Sequence, residues 1–457
     1  MQKSKFLKKK VISRLSCLFV ALLLIFSLSS CSLLSFFDRA VLPKDDLSGN
    51  VGDGTTEYNS VAKYLYAWGF PTFNDQKFAA VENCVESYYC GELPSKREMA
   101  STCADLFLEY FYDDIDLNDR TAVTDALLTC YMASFGDDYA AYRNASAYED
   151  FSSEMSGNSS FVGIGIRIKE SDDGAPYIVS VLNGSPAEAA GFLRGDVIVS
   201  VGGALASEIG YEATVNKIAG VAGTTVEIKV LRNGESLTLT PTRNAVGEAS
   251  VIYSTIENTG YGYIEIMTFN AKTADDFKTA IDALLLAEVD GIIFDLRSNL
   301  GGMLDAVVEM VGYLVDDGLP VVSYQYKGAP LVKLDSGNDG HKVDLPMVVI
   351  TNEYTASASE IFTASLRDYE KMDGVDLDVT IVGKKTYGKG VMQRVYAFQD
   401  GSAVTVTVAY YNPPLGENYH GVGVMPDVEV ENSVTVTGGD AQLDAAIEAM
   451  DALLAAA

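Results

Sequence analysis

The sequence predicts a multidomain α+β protein with an N-terminal helical part, a small β-rich unit and an α/β core. Apolar residues recur at helical spacing over residues 57–155, which predicts a helical domain. Short alternating runs separated by glycine-containing turns fill residues 156–246. Residues 247–457 alternate apolar strands with helices, among them a helix predicted over Thr273–Leu286, and this is the pattern of a core built on buried strands. The 457 residues are enough for these three domains.

The N-terminus has the features of an export signal. A basic segment precedes the apolar stretch from Leu15 to Leu28, which is too short for a typical membrane span. The following Leu-Ser-Ser-Cys resembles a bacterial lipobox, so residues 1–30 are predicted to be a lipoprotein signal peptide and Cys31 the lipidated residue. An ordinary signal peptide or an uncleaved anchor is the alternative. Residues 31–56, with Pro43 and several glycines, predict a flexible tether. The protein is therefore expected outside the cytoplasm, anchored to the outer face of the membrane or secreted.

Composition limits the partners and cofactors. The chain has 63 acidic and 33 basic residues, a net charge of −30, which argues against binding nucleic acid. Four cysteines lie close together in the helical part, and in an exported protein this favours two disulfides of unknown pairing. Zinc is the alternative, but no Cys-x-x-Cys pair or nearby histidine supports it. We expect neither a metal nor an organic cofactor. The four cysteines are Cys84, Cys90, Cys103 and Cys130.

The β-rich unit has a recognisable pattern of strands and turns. Phe161–Ile168 is predicted as one strand, Ser185–Gly191 as a one-turn helix, Tyr211–Ala219 as a longer helix, and Asn233-Gly234 as a hairpin turn. The unit resembles a PDZ domain, most clearly from Ser185 to Asp196. The resemblance implies that one glycine-flanked segment captures a peptide C-terminus, because its N–H groups suit a carboxylate and its strand edge can pair with a peptide. That segment is Gly163, Ile164, Gly165 and Ile166.

A serine at a strand-to-helix junction is the candidate nucleophile. The buried strand Leu345–Ile350 leads to Thr-Ala-Ser-Ala-Ser-Glu, and a helix is predicted from Ala356 to Leu366. A serine there is exposed beside the free N–H groups of the first helical turn, which suit a developing oxyanion. The alternative is that Ser357 or Ser359 only caps the helix.

A lysine is the better candidate base. The only histidines, His341 and His420, show no partner pattern. Lys389 lies between two glycines, and an apolar pocket could lower the usual lysine pKa of about 10.4 enough to give a neutral amine. The alternative is a surface lysine in a turn. Gly383–Lys389 also approximates a Walker A motif, but Gly390 replaces the required Ser or Thr, so we expect no nucleotide binding.

Four motifs in order resemble the carboxyl-terminal processing peptidases, the tail-specific protease family of PDZ-containing Ser/Lys peptidases. They begin at Asp295 (Asp-Leu-Arg-x-Asn-x-Gly-Gly), Thr355, Thr386 (Thr-Tyr-Gly-Lys-Gly-x-x-Gln) and Met425 (Met-Pro-Asp). The resemblance covers most of residues 57–457 and implies a peptidase core of the ClpP/crotonase-like type. It implies Ser357 as nucleophile, Lys389 as general base, Gln393 as its positioning residue, the amides of Ala358 and of Gly301 or Gly302 as oxyanion hole, and Glu360 and Asp368 as supporting residues.

The expected function is therefore an exported serine endopeptidase that binds C-terminal tails of proteins and cleaves through an acyl-enzyme. A catalytically inactive PDZ scaffold and a hydrolase of cell-wall material are the alternatives. One departure from the family pattern is the segment Met372–Asp378, which lengthens the interval between Ser357 and Lys389. As a surface loop it would leave the pair intact, whereas a shift of the next strand would separate it.

Overall fold

The computed structural model describes residues 58–158, 160–171, 174–247, 249–337, 340–416, 418–431, 434–435 and 439–456. The predicted signal peptide, Cys31 and the tether lie outside these residues. Within them, no helix combines the length and apolarity needed to cross a bilayer. The described chain forms two compact units, one of residues 58–144 with 393–407 and one of residues 145–392 with 408–456.

The first unit contains the predicted amphipathic helices. They are α1 (Val61–Ala67), α2 (Asp75–Tyr88), α3 (Lys96–Tyr110) and α4 (Arg120–Ser134). Side chains of Asn74, Ser95 and Asp119 accept hydrogen bonds from the first turns of α2, α3 and α4, which explains where these helices begin. Several of their aromatic residues, among them Phe78, Phe107 and Tyr131, are fully buried. Strand β1 (Ala141–Arg143) pairs antiparallel with residues 403–405 of a later strand.

The expected disulfides are wrong for this structure, in which Cys84, Cys103 and Cys130 are free thiols. Cys103 lies fully buried on α3, and its thiol donates a hydrogen bond to the Leu127 carbonyl of α4 at 3.4 Å. Burial raises the pKa of the Cys103 and Cys130 thiols. Both therefore act as small apolar residues between packed helices.

The second unit begins with α5 (Ala145–Met155) and the PDZ-like domain. The single strand predicted over Phe161–Ile168 is wrong, because Gly165 has a φ of 83° and interrupts it. Strand β2 (Ser160–Gly163) pairs with β9 (Asn244–Gly247), whereas β3 (Ile166–Glu170) pairs with β4 (Pro176–Val181). The segment between β2 and β3 is thereby left as a loop.

The domain's main sheet has the order β3-β4-β5-β7-β8, with the short β6 beside β5. The one-turn helix is confirmed as α6 (Pro186–Ala190), which ends at Gly191 in the left-handed conformation, and Asn233-Gly234 forms the predicted hairpin turn. The longer helix begins earlier than predicted, but Gly210 breaks its helical geometry. The remaining elements are β5 (Val197–Val201), β6 (Ala204–Leu205), α7 (Ala206–Ile218), β7 (Ile228–Arg232) and β8 (Glu235–Leu239).

The α/β core is a six-stranded sheet in the order β10-β11-β12-β15-β16-β19. β10 is antiparallel to β11, and the other described pairings are parallel. The three central strands are buried on both faces, as the apolar runs predicted. The strands are β10 (Val251–Thr255), β11 (Tyr261–Ile266), β12 (Gly291–Asp295), β15 (Met347–Thr351), β16 (Val379–Gly383) and β19 (Val428–Glu429).

Helices cover both faces of this sheet. Helices α8 (Thr273–Leu286), α9 (Leu304–Leu314) and α10 (Ala358–Glu370) pack on the face that carries Phe294. The C-terminal helix α11 (Ala441–Ala456) packs on the opposite face. In the second unit, β13 (Pro320–Tyr326) pairs with β14 (Leu331–Asp335) and with residues 409–412 of β18 (Ala403–Asn412). Strand β17 (Val391–Ala397) also pairs with β18, and a two-stranded ladder joins β20 (Val434–Thr435) to β21 (Gly439–Asp440).

The segment Met372–Asp378 does not displace the strand after it. It forms a turn after α10, and its apolar residues pack against the core. Strand β16 starts at Val379, directly opposite Met347 of β15. The longer interval between Ser357 and Lys389 is therefore absorbed before the strand that leads to the lysine.

Candidate active site

Ser357 lies immediately before α10 in a strained backbone conformation. Its φ is 58° and its ψ −118°, a region that few residues other than glycine adopt. A serine at such a sharp turn between a buried strand and a helix presents its hydroxyl next to the helix N-terminus. Ser359, the other candidate, is fully buried and donates its hydroxyl to the Asn299 carbonyl at 3.1 Å. The two serines therefore have different environments, and Ser357 is the one that remains half-exposed.

Glu360 joins the serine to the loop that carries the lysine. Its fully buried carboxylate accepts hydrogen bonds from the amides of Ser357 at 2.9 Å, Gly388 at 2.7 Å and Lys389 at 2.7 Å, and from the Thr386 hydroxyl. Burial raises the pKa of this carboxyl, and the four hydrogen bonds oppose that shift. One carboxylate thus satisfies donors from two separate segments of the chain.

Ser357 and Lys389 are consequently close neighbours. Both amides bind the same oxygen, Glu360 Oε2, so their nitrogens lie no more than about 5.6 Å apart, the two bond lengths laid end to end. Lys389 is half-buried, and its carbonyl accepts a hydrogen bond from the Tyr411 hydroxyl. The predicted nucleophile and base are therefore brought to one place in the fold.

The glycines of the predicted oxyanion hole lie against the serine turn. A Cβ atom on Gly301 would stand 2.7 Å from Ser357 Cβ and 2.8 Å from the Ala358 nitrogen, so only glycine fits there. The Gly301 amide is already donated to Asn299 Oδ1 at 2.8 Å. Gly302 lies against the Phe269 carbonyl, with room for no side chain.

Asn299 holds this glycine loop to the serine loop. The side chain is buried and donates to the Ile266 carbonyl at 2.7 Å, and the Asn299 carbonyl accepts the Ala356 amide at 2.9 Å. The loop begins at an ionic cluster in which Arg297 binds both Asp295 and Asp440. Burial alone would raise the pKa of the Asp295 carboxyl, but the neighbouring arginines Arg297 and Arg194 keep it well below its ordinary value.

The other predicted residues, Asp368 and Gln393, are held by partners outside the serine and lysine loops. Asp368 lies near the opposite end of α10, where its carboxylate binds the Arg367 side chain and the Leu415 amide. Gln393 lies on β17 in the first unit and donates to the Thr407 hydroxyl at 3.2 Å. Its proposed action on Lys389 stays a prediction.

Tyr411 is a site residue that the sequence did not reveal. Its buried hydroxyl donates to the Lys389 carbonyl and is within hydrogen-bonding reach of the Ser357 side chain. Burial raises the pKa of this hydroxyl, so it is neutral at physiological pH. A tyrosine near the end of an apolar strand gives no sign of this role. Thr386 could have been noticed, because it begins the motif that contains Lys389.

The predicted tail-binding segment forms one side of a groove. Gly163, Ile164, Gly165 and Ile166 line it together with the helix α7. The Ile164 and Gly165 carbonyls are bonded to the Ala187 and Leu182 amides, which fixes the loop's course. Among the described residues, no group of three or more metal-ligating side chains is present.

Sequence comparisons agree with this architecture. Residues 260–430 match peptidase family S41, and residues 162–241 match a PDZ domain. The core is an S41 peptidase domain. The predicted family and the multidomain α+β fold are thereby confirmed.

Two curated relatives share about a third of their residues with this chain. The Bacillus subtilis (strain 168) protein "Carboxy-terminal processing protease CtpA" is 32% identical over 314 residues, covering 68% of this chain and 65% of that protein. The Staphylococcus aureus (strain COL) protein "Probable CtpA-like serine protease" is 33% identical over 318 residues, covering 68% and 61%. The chain thus spans less than two thirds of the length of these relatives.

A solved structure of a Bacteroides fragilis NCTC 9343 protein, named as an S41 protease, has the same fold. Its TM-score is 0.55 at 17% identity, and the match covers 82% of this chain and 97% of that one.

Proposed function

We propose that this protein is a serine endopeptidase that holds the C-terminal tail of a protein substrate in its PDZ domain and cleaves the chain through a Ser357/Lys389 dyad. The observation that carries the proposal is the Glu360 carboxylate, which binds the amides of both residues. A purely structural helix cap would not need to hold a second, distant loop that presents a lysine. The strained serine backbone adds support, because strain of this kind clusters at functional sites.

The proposed reaction needs only groups of this chain. Ser357 Oγ attacks the scissile carbonyl while its proton passes to the neutral amine of Lys389. The tetrahedral oxyanion is stabilised by the amides of Ala358 and Gly302, since the Gly301 amide is engaged by Asn299. The protonated lysine then gives its proton to the leaving amine, and an acyl-enzyme remains. A water molecule, deprotonated by Lys389, hydrolyses the ester.

We further propose that the enzyme acts outside the cytoplasm. The signal-like residues 1–30 and the lipobox-like cysteine at position 31 support a lipid anchor at the membrane surface. Residues 31–56 would then act as the tether that lets the catalytic domains reach their substrates.

Cleavage of an unfolded protein with a free C-terminal tail tests the proposal. Ser357→Ala and Lys389→Ala should each lower the rate by at least about 1,000-fold, the typical loss when a member of a catalytic unit is removed. Both variants should still bind a C-terminal peptide. Equal cleavage by the parent and Ser357→Ala would refute the dyad, and binding without cleavage by the parent would identify a PDZ scaffold.

A further inference from the structure

The groove of the PDZ domain has an open strand edge and an apolar wall. Strand β3 is at the edge of its sheet, and its outer side pairs with no other described strand. Helix α7 contributes the opposite wall through Tyr211, Val215 and Ile218. The cavity between these two walls has a volume of about 160 Å³.

The edge offers few backbone groups to a ligand. The Gly165 carbonyl points into the domain, where it accepts the Leu182 amide. Since carbonyls alternate in direction along a strand, the Ile166 carbonyl points to the open edge. The next outward carbonyl is that of Ile168, and it is already occupied.

Tyr211 is the residue that occupies it. The tyrosine hydroxyl donates to the Ile168 carbonyl at 2.7 Å, so the side chain spans the groove from α7 to β3. Its position is set by Gly210, whose φ of 80° breaks the helix just before it and whose carbonyl accepts the Thr214 hydroxyl. Tyr211 is thus the first residue of the straight part of α7.

We propose that Tyr211 closes the far end of this groove and limits recognition to about the last two residues of a substrate tail. The C-terminal residue would pair with Ile166 at the open edge. A residue two positions earlier would need the Ile168 carbonyl as acceptor for its N–H. The Tyr211 side chain crosses the groove to donate to that carbonyl, so it occupies the side from which the N–H would approach. The tail must therefore leave the strand edge at that point.

The size of the cavity agrees with a short recognition sequence. An apolar cavity of about 150 Å³ holds one benzene molecule, so the space here suits about one apolar side chain. Ile164, Ile166 and Ile168 make its lining apolar. We expect the C-terminal side chain of the substrate to fill it, with little selection on residues further from the end.

This inference rests on the proposed function, because it assumes that the groove binds protein tails. It adds a limit on recognition: tails that share their last two residues and differ upstream should bind alike. An enzyme with such a short recognition element would accept many different tails.

Peptide binding to the full-length protein in detergent tests the inference, with Ser357→Ala in every sample to prevent cleavage. A labelled hexapeptide with an apolar C-terminus and a free carboxylate is titrated by fluorescence anisotropy, and the dipeptide of its last two residues is measured by competition. In the Ser357→Ala protein the two affinities should agree within about threefold. Adding Tyr211→Phe should strengthen hexapeptide binding by about three- to tenfold, the effect of one net hydrogen bond, and leave the dipeptide within about twofold.

Tyr177→Phe is the matched control, because it removes a hydroxyl from β4 of the same domain, outside the residues that line the groove. Tyr177→Phe should leave both affinities unchanged. A hexapeptide with an amidated C-terminus should bind neither the Ser357→Ala protein nor its Tyr211→Phe derivative. Two results would overturn the role of Tyr211. In one, the Ser357→Ala protein binds the hexapeptide more than about tenfold tighter than the dipeptide. In the other, hexapeptide affinity is the same with and without Tyr211→Phe. If no free-carboxylate peptide binds at all while cleavage by the unmutated protein persists, tail capture by the PDZ domain is itself wrong.

Discussion

Two glycine-containing segments of this chain, Gly163–Ile166 in the PDZ domain and Asn299–Gly302 in the peptidase core, show opposite ways to build a site. The PDZ segment bonds inward through two carbonyls and leaves a strand edge open. The core segment directs its bonds to the loop that carries Ser357, through Asn299 and the close approach of Gly301. A binding groove needs unsatisfied backbone groups that a ligand completes. A catalytic site needs its geometry fixed before the ligand arrives.

The largest expected effect tests whether the arrangement of Ser357 and Lys389 depends on the Glu360 carboxylate. Glu360→Gln keeps the shape but replaces an acceptor of four hydrogen bonds with an amide, whose NH₂ group would face backbone donors. We expect kcat to fall by about 1,000-fold and the free energy of unfolding to fall by roughly 2–4 kcal/mol. Steady-state kinetics and urea unfolding measure the two effects. Unchanged kcat would show that Ser357 and Lys389 do not need Glu360.

The second prediction substitutes one glycine in each segment. Gly301→Ala places a methyl group 2.7 Å from Ser357 Cβ, and Gly165→Ala places one 2.4 Å from Ser185 Cβ, both at positive φ. Gly301→Ala should lower kcat by about 100-fold, because the methyl group would displace Ser357 and the Ala358 amide proposed as an oxyanion donor, and it should leave peptide binding unchanged. Gly165→Ala should weaken peptide binding by about tenfold and leave hydrolysis of a short ester substrate unchanged. Weaker peptide binding by Gly301→Ala, or slower ester hydrolysis by Gly165→Ala, would show that the two segments do not have separate roles.

A smaller effect is expected from the hydroxyl of Tyr411. Tyr411→Phe removes the hydrogen bond to the Lys389 carbonyl, and we expect kcat to fall by about 5- to 20-fold with KM unchanged. Tyr131→Phe is the control, since Tyr131 is an equally buried tyrosine on α4, outside the candidate site, and its hydroxyl has no hydrogen-bond partner among the described residues. Equal losses in the two variants would indicate general packing damage and not an effect on the site.

The smallest effect concerns the ion pair between the two regions. Arg167 of β3 binds Glu265 of β11, but about a third of the arginine side chain is exposed. Solvent screening limits such a pair, so Arg167→Gln should lower the free energy of unfolding by less than about 1 kcal/mol. Urea unfolding of Arg167→Gln, Glu265→Gln and the double variant gives the coupling between them. A coupling above about 2 kcal/mol would mean that the pair, and not apolar packing, joins groove and core.

The sequence revealed strongly periodic elements better than the ends and breaks between them. The helix Thr273–Leu286 matches its prediction at both ends, because its apolar face repeats clearly. The predicted strand Phe161–Ile168 failed because alternation continues through Gly165 although the backbone turns there. The cysteine pattern misled for a similar reason. Spacing along the chain does not show whether a thiol faces another thiol or, like Cys103, a helix carbonyl.

For the candidate site, the sequence by itself predicted Ser357 and Lys389 and the glycines around them, because local motifs carry that information. Only the tertiary structure decided that Glu360 holds both amides, that Asn299 occupies the Gly301 amide, and that Tyr411 and Tyr211 reach into the two sites. These are contacts between segments far apart in the chain. Their partners are chosen by how strands and helices pack, and no local pattern records that choice.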